Sequence, residues 1–300
     1  KMINFLNYKI IMVSLSGFLI AKTGYPALHS FTSSVPLSMA GAGYLHSSPI
    51  SSKMNPSYQS EKSFSASLIK YPASITSQSA GAQFPLLDGN FSTSINYISY
   101  GIFQGYTDYA EPTGTYSSSD SWLGASYSRQ VLLLPIYWGV QSKFYSSLYN
   151  NSKIRLATLS AGLHLKLNKY KANLGISIHD FGKQFKGPKL DLTPQVLLSI
   201  SKELINLPLT LYFDFNAYNE NQNSEIFVGG NFNLGKNFQL RVGSSTRKAE
   251  HNIKKGMTQS ILGSTGMGFG YRNKSVFLHY GFYIYGTTAL IQGLEIGTFL

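Results

Sequence analysis

The chain contains no cysteine, so neither a disulfide framework nor a cysteine-ligated metal site can form. Charged residues are also scarce. Asp, Glu, Lys and Arg make up 13% of the sequence, against roughly a quarter in a typical soluble domain. A soluble protein of this size would have too few charges to cover its surface, and we therefore expect much of the surface to face lipid.

Long apolar runs are missing from the body of the chain. A membrane-spanning helix needs about 18 or more consecutive apolar residues, and no such stretch follows position 21. Residues 10–21 form one apolar run of about a dozen residues behind a basic start with Lys1 and Lys9. This pattern predicts a signal peptide over 1–21, with cleavage as late as about residue 30. A short buried helix is the alternative.

From residue 61 to Leu300 the sequence reads as a series of β-hairpins with alternating connections. Short turns are expected at 87–89, 134–135, 168–170, 204–208, 235–237 and 272–274, and longer polar loops at 104–120, 180–193, 217–224 and 246–260. Bacterial outer-membrane barrels sort their connections in this way, because their strands run alternately up and down. Both chain ends then lie on the periplasmic side, and the longer loops lie outside the cell.

Within the hairpins, apolar residues alternate with small or polar residues, as expected where one face of a strand meets lipid. A soluble sheet with one buried face would alternate in the same way. However, Ser, Gly, Asn and Thr dominate the polar faces, which fits a crowded barrel lumen better than open solvent. The candidates for lumen-facing residues are His164, Lys166, Tyr212, Asp214, Asn216, Arg241 and His279.

The predicted fold is an all-β, transmembrane, antiparallel up-and-down β-barrel over residues 61–300. It has about fourteen strands, an even number as bacterial barrels require. Residues 32–60 break the hairpin rhythm and are rich in Ser, Gly, Ala and Pro. We expect them to form a plug- or hatch-like segment at or inside the periplasmic end, although a linker would fit as well. Strand starts are expected near residues 61, 77, 91, 121, 136, 154, 171, 193, 207, 224, 237, 260, 274 and 288.

The formal net charge of +12 does not indicate a nucleic-acid-binding protein. The Lys and Arg residues are spread over strand ends and loops and are not clustered with stacking aromatic residues. The alternation of short and long connections places the basic loops outside the cell, where anionic outer-membrane lipid or lipopolysaccharide is a simpler partner than nucleic acid. Solvated charge that keeps these loops soluble is equally compatible. The basic loop residues are Lys183, Lys186, Lys189, Arg247, Lys248, Lys254 and Lys255.

The sequence offers no catalytic, cofactor-binding or metal-binding motif. His179 and Asp180 could belong to a hydrolase, but adjacent strand residues point to opposite faces, so we expect no dyad unless the strand ends there. His164 and His279 are expected to be hydrogen-bonded lining residues. Glycines such as those in 266–270 are expected to thin the barrel wall rather than to cradle a phosphate. The prediction is a non-enzymatic protein without a cofactor.

A set of short motifs resembles the PorV/PorQ family of outer-membrane barrels, which are similar to the long-chain fatty-acid transporters. In the segment before the barrel, Met39, Gly41 and Gly43 lie in a run of small residues, and an Asn55-Pro56 turn follows. These residues match the family's N-terminal signature. Later matches are Phe181-Gly182, Thr193-Pro194 and Leu207-Pro208-Leu209, the last in the manner of the PorQ branch.

The resemblance implies an accessory barrel of the type IX secretion system of Bacteroidota-like bacteria. Such a barrel would bind secretion-system proteins or the C-terminal domains of secreted cargo, and would assist export or surface attachment. The alternative is a channel for hydrophobic small molecules, similar to the fatty-acid transporters, with the residues before Glu61 as a hatch. A channel of that kind should show an apolar path, whereas the predicted lumen is polar and small, which favours the secretion role.

Overall fold

The computed structural model describes residues 30–51, 53–58, 61–107, 109, 111–149, 152–188, 192, 194–217, 224–247, 263–285 and 289–300. Fourteen antiparallel strands form one closed barrel, in which each strand pairs with its sequence neighbours and β14 pairs with β1. The predicted barrel of about fourteen strands is confirmed. The strands are β1 (Ser63–Lys70), β2 (Thr76–Leu86), β3 (Gly89–Tyr106), β4 (Pro112–Gln130), β5 (Ile136–Tyr149), β6 (Ser152–Leu167), β7 (Ala172–Lys186), β8 (Gln195–Glu203), β9 (Leu209–Ala217), β10 (Glu225–Leu234), β11 (Phe238–Ser245), β12 (Thr265–Arg272), β13 (Val276–Tyr285) and β14 (Ala289–Phe299).

Helical structure is minor in the described part of the chain. It consists of a short helix α1 (Ser34–Ser38) before the barrel and a 3₁₀ turn (Asn168–Tyr170) between β6 and β7. No helix among the described residues is long and apolar enough to cross a membrane.

Exposure alternates along the strands as the sequence pattern requires. In β9, Leu211 and Phe213 are 40% and 44% exposed, whereas Tyr212 and Asp214 between them are buried. The same alternation places large apolar side chains on the outside of the other strands, for example Leu123, Leu159, Phe269 and Ile296. An apolar exterior on a closed barrel is the arrangement that a lipid environment demands, because closure satisfies every strand's backbone hydrogen bonds.

The two ends of the barrel differ in their connections. We call the end with turns at 87–88, 131–135, 168–171, 204–208, 235–237 and 273–275 the short-turn end. The backbone N–H of Leu300 donates to the carbonyl of Lys62, so β1 starts and β14 ends there. At the opposite end, which we call the long-connection end, the strand limits leave long intervals at 187–194, 218–224 and 246–264, but also short ones at 71–75, 107–111, 150–151 and 286–288. The prediction that all short connections lie at one end of the barrel and all long ones at the other is therefore too strong.

Strands extend into two predicted loops. β4 begins at Pro112, not near Ser121, and β3 and β4 pair out to Tyr106 and Pro112 with a register shift at Gly101. β7 likewise continues to Lys186 through the first half of the predicted loop at 180–193. The first stretch is rich in Ser, Thr, Tyr and Gly and the second contains Lys and Gln, so neither shows the apolar alternation that identified the other strands.

The prediction that His179 and Asp180 point to opposite faces is wrong. The β6–β7 register shifts between Leu159 and Ala161, opposite this pair. Asp180 has a φ of +61°, and both side chains are buried on the inner side of β7. A bulge inserts one extra residue into a strand, and it can therefore bring two consecutive side chains to one face.

Some predictions fall outside the described residues. These are the signal peptide at 1–21, the strand starts at Thr193, Ser260 and Thr288, and most of the loops at 217–224 and 246–260. Four of the basic loop residues also lie there, namely Lys189, Lys248, Lys254 and Lys255.

Candidate functional site inside the barrel

Residues 30–51 and 53–58, which precede β1, lie within the barrel, and we call them the inner segment. At its start, Glu295 of β14 accepts hydrogen bonds from the Ser33 hydroxyl (2.6 Å) and the Ser34 backbone N–H (3.0 Å). Farther along, Asp214 of β9 accepts one from the Gly43 N–H at 2.7 Å. Buried wall carboxylates thus hold backbone and hydroxyl donors of the inner segment, as charge-assisted hydrogen bonds of useful strength.

A third anchor is Asn55. Its side-chain amide donates to the carbonyls of Leu163 and Ile176 on β6 and β7, each at 3.2 Å. Its side-chain oxygen accepts from both the N–H and the hydroxyl of Ser57. The Asn-Pro turn of the family-like motif is therefore fixed against the wall.

Beside this anchor, His164 is buried between two tyrosine rings. It stacks on Tyr137 with ring centroids 4.5 Å apart and meets Tyr58 edge-on at 5.0 Å. Its Nδ1 lies 3.0 Å from the Ser57 hydroxyl. These contacts fix the orientation of the His164 ring, and the three rings fill the lumen on the β5–β6 side.

Glycines in the wall leave room for the inner segment's backbone. A Cβ on Gly243 would stand 2.2 Å from the carbonyl oxygen of Met39, and one on Gly266 would stand 2.5 Å from that of Leu37. On the other side of the barrel, a Cβ on Gly139 would stand 2.3 Å from the carbonyl oxygen of Pro56. Contacts this close exclude any side chain at these positions, because the obstructing atoms are backbone.

The predicted lumen-facing residues are distributed around the interior. Tyr212, Asp214 and Asn216 follow one another along the inner face of β9, and all are buried. Arg241 and His279 meet, with Arg241 Nη2 3.4 Å from His279 Nε2. Lys166 is exposed near the short-turn end.

Sequence reasoning missed the apolar content of the lumen. Three clusters of buried apolar side chains lie inside, toward the long-connection end. Two of them pack the inner segment against the wall, and the third fills the lumen beside β3–β6. Their members are Val35, Met39, Ala42, Tyr44, Leu197, Tyr212 and Phe227 in the first, Leu37, Ala40, Ile69, Tyr283 and Ile291 in the second, and Ile98, Trp122, Tyr145 and Leu156 in the third. The sequence carried one signal of this apolar content: large aromatic residues such as Trp122 and Tyr145 stand at strand positions where small or polar residues are the rule.

Two internal cavities lie on either side of the inner segment. The mouth pocket, toward the long-connection end, has a cavity volume of about 20 Å³, and its lining includes Phe31, Pro36 and Phe227. The basal cavity, toward the short-turn end, has a cavity volume of about 180 Å³, and its lining is largely polar. Tyr44 lines the mouth pocket and the adjacent Leu45 lines the basal cavity, so the inner segment separates the two.

Charged groups surround the mouth pocket. Arg247 forms a bidentate ion pair with Glu225 and covers the ring of Phe227 at 5.4 Å. Lys53 also lines the pocket. Burial, together with the nearby Arg247 guanidinium, lowers the pKa of Lys53 to about 8, while Glu225 opposes this shift. Lys53 is therefore mostly charged at neutral pH, but loses its proton more easily than an ordinary lysine.

A buried ion pair lies deeper on the β5–β7 side. Lys143 Nζ is 3.5 Å from Asp180 Oδ1, which also accepts from the Thr158 hydroxyl at 3.3 Å. His179 Nε2 contacts the Ser177 hydroxyl at 2.9 Å. Asp180 thus contacts a lysine and a threonine, and the bulge that brings His179 and Asp180 to one face supports an ion pair in the lumen.

Of the remaining basic loop residues, Lys183 and Lys186 are exposed at the end of β7, near the long-connection end. Among the described residues, no cluster of three His, Asp or Glu side chains could hold a metal ion.

A closed fourteen-strand barrel with an apolar exterior and a segment packed into its lumen is the fold of an outer-membrane β-barrel. No protein-family model and no curated protein matches the chain. Similar solved structures include the P. putida toluene transporter TodX, with a TM-score of 0.53 and 10% identity over 89% of this chain and 97% of that one. A deltaS2S3 mutant of the TodX monoaromatic hydrocarbon channel has a TM-score of 0.52 and 10% identity, over 81% of this chain and 92% of that one. At this identity the likeness shows a shared fold.

Proposed function

We propose that the protein is a non-enzymatic outer-membrane channel for small hydrophobic molecules, with the inner segment as its plug. The observation that carries the proposal is the mouth pocket, whose lining includes Phe31, Pro36 and Phe227 at the long-connection end of the lumen. Two apolar clusters continue from this pocket, through Tyr44 and Phe227 in one and through Phe31 in the other. An apolar solute that enters from this end therefore meets apolar surface.

The orientation belongs to the same proposal. Both ends of the barrel domain lie at the short-turn end, which would face the periplasm, and the mouth pocket would face the outside. Lys183 and Lys186 are exposed on the outer side of this arrangement. There they would meet the phosphates of lipopolysaccharide.

The test is the uptake of labelled toluene by Gram-negative cells whose lipopolysaccharide leaflet slows apolar solutes. Cells that make the wild-type protein should take up toluene faster than cells without it. Ser51 lines the mouth pocket, and Ser51→Trp should fill that space and return uptake to the background rate. Ser275→Trp, in an exposed turn at the opposite end, is the matched control and should leave uptake unchanged. Equal uptake with and without the wild-type protein would refute the proposal.

A second candidate is the secretion-accessory role implied by the PorV/PorQ resemblance. It is favoured by the tip of the β3–β4 hairpin, where Ile102, Tyr106 and Tyr109 are 78%, 62% and 89% exposed. Phe103 and Tyr116 stack on the same hairpin at 5.5 Å. Exposed aromatic groups of this kind are common where proteins bind. Co-purification from native membranes should recover a secretion pore or a cargo C-terminal domain if this role is correct, and only lipid if it is not.

A further inference from the structure

A buried guanidinium lies beneath the basal cavity. Arg241 is 1% exposed and among the largest fully buried side chains of the described residues. Its Nη2 donates to the side-chain oxygen of Gln239 and lies 3.4 Å from His279 Nε2. Its Nε and Nη1 have no hydrogen-bond partner, and none of the ion pairs in the described part of the chain includes it.

Such an arrangement is costly for the protein alone. An arginine stays protonated even when buried, and a buried charge without an ion-pair partner destabilises the folded state. The position is nevertheless built for this side chain: a Cβ at Gly270 would stand 3.1 Å from both terminal nitrogens of Arg241. A buried cation kept in a position shaped for it indicates an anionic partner that binds there.

The carboxylates nearest to the cavity are already engaged. Glu295 accepts hydrogen bonds from Ser33 and Ser34 of the inner segment. Glu61, at the rim, is paired with Arg272. Neither forms an ion pair with Arg241, although Glu295 is close enough to interact with it electrostatically. The protein therefore leaves two guanidinium nitrogens of Arg241 to be met from the cavity.

The cavity is open enough and donor-rich enough for an oxygen ligand. Gln239 and His279, which contact Arg241, both line it. Further donors around it are the hydroxyls of Ser48 and Tyr58 and the rings of His46 and His279. The Ser48 hydroxyl and His279 Nδ1 are buried without a partner, which adds two unused polar atoms to those of Arg241.

We propose that the basal cavity is a binding site for an oxyanion group, a phosphate or a carboxylate, held by Arg241 with His279 and Ser48. The oxygens of the anion accept hydrogen bonds from the guanidinium N–H groups that have no partner in the protein. The Gln239 side chain, which accepts a hydrogen bond from Arg241, moves aside when the anion binds. The site is polar and lies on the far side of the inner segment from the mouth pocket, so it is independent of the proposed passage of apolar molecules.

The test is isothermal titration of the full-length protein in detergent with inorganic phosphate, at constant ionic strength set by chloride. Saturable binding is expected for the wild-type protein. Arg241→Gln should weaken it about tenfold or more, as expected for loss of a charge-assisted hydrogen bond. Arg129→Gln is the matched control, because Arg129 is at the same end but pairs with Asp88 outside the lumen, and its affinity should equal the wild-type value.

The source of the anion is tested by a second titration with short-chain phosphatidylglycerol in mixed micelles. Binding of free phosphate identifies a soluble anion, and binding of the lipid alone identifies a headgroup. Either result supports the proposal if Arg241→Gln weakens that binding about tenfold or more. Binding that Arg241→Gln leaves unchanged, or no saturable binding of either probe, would overturn it.

A crystallographic measurement covers the case in which Arg241→Gln does not fold. Wild-type crystals soaked in tungstate should show an anomalous peak beside the Arg241 guanidinium. Tungstate bound only at exterior lysines, or nowhere, would contradict the site.

Discussion

At the scale of single residues, a few polar side chains tie the inner segment to the wall. Glu295, Asp214 and Asn55 each bind groups more than a hundred residues away in sequence. The family-like motif marks Asn55 from the sequence, but its partners are the backbone carbonyls of two strands. Nothing local in the sequence specifies such partners, and only the closed barrel brings them together.

Asn55→Ala should therefore loosen the inner segment. The change removes both hydrogen bonds to the wall and the support for the Ser57 turn. We expect a loss of about 1–3 kcal/mol in the free energy of unfolding, because a buried hydrogen-bonding group is deleted. Equilibrium urea unfolding in detergent micelles measures it. Asn206→Ala, in an exposed turn, should change stability by less than about 0.5 kcal/mol, and equal losses in both variants would refute the role of Asn55.

His46 should make the inner segment sensitive to acid. Burial, together with Arg241 and Arg272, lowers its pKa from 6.5 to about 3. The folded protein thus binds this proton more weakly than the unfolded chain does. The stability that neutral His46 confers is complete above pH 6.5 and is lost as the pH falls toward about 3.

His46→Gln should remove this part of the pH dependence. Unfolding free energies of the wild type and the variant should converge as the pH is lowered from about 7.5 to about 4.5, because only the wild type carries the imidazole. A constant difference between the two proteins over this range would contradict the assignment.

At the scale of elements, strand alternation was predictable and the fit of the inner segment was not. Most strand starts lie within about two residues of their predicted positions, because the two-residue period of lipid-facing strands is a local signal. The extended β3–β4 hairpin and the bulge at Asp180 were missed, since neither follows that period. Glycines such as Gly266 were expected to thin the wall, and it is the inner segment's backbone that occupies the space left by Gly266 and by Gly243.

Gly243→Ala should displace the inner segment, because the new methyl group would meet the Met39 carbonyl at 2.2 Å. Single-channel conductance in planar bilayers should rise above the wild-type level. Gly124→Ala is the matched control: it is also a lumen-facing wall glycine, but its Cβ would meet the movable Ser94 hydroxyl at 2.9 Å. Its conductance should stay at the wild-type level, and an equal rise in both variants would show that wall strain, not the inner segment, controls conductance.

At the scale of the whole molecule, the interior is divided. Apolar clusters and the mouth pocket lie toward the long-connection end, and a polar cavity over Arg241 lies toward the short-turn end. The scarcity of charge predicted the apolar exterior, and the Ser, Gly, Asn and Thr residues on the polar strand faces led to the expectation of a polar, small-residue lumen throughout. That expectation failed because inward positions of different strands converge in space, and isolated apolar residues such as Ile98, Trp122 and Leu156 join into one cluster.

The most direct test of the central claim is to locate an apolar molecule in the lumen. Crystals soaked with 4-bromotoluene should show anomalous bromine density in the mouth pocket, beside Phe227 and Pro36. Bromine density only on the outer apolar surface of the barrel, with the mouth pocket empty, would contradict a channel for small hydrophobic molecules.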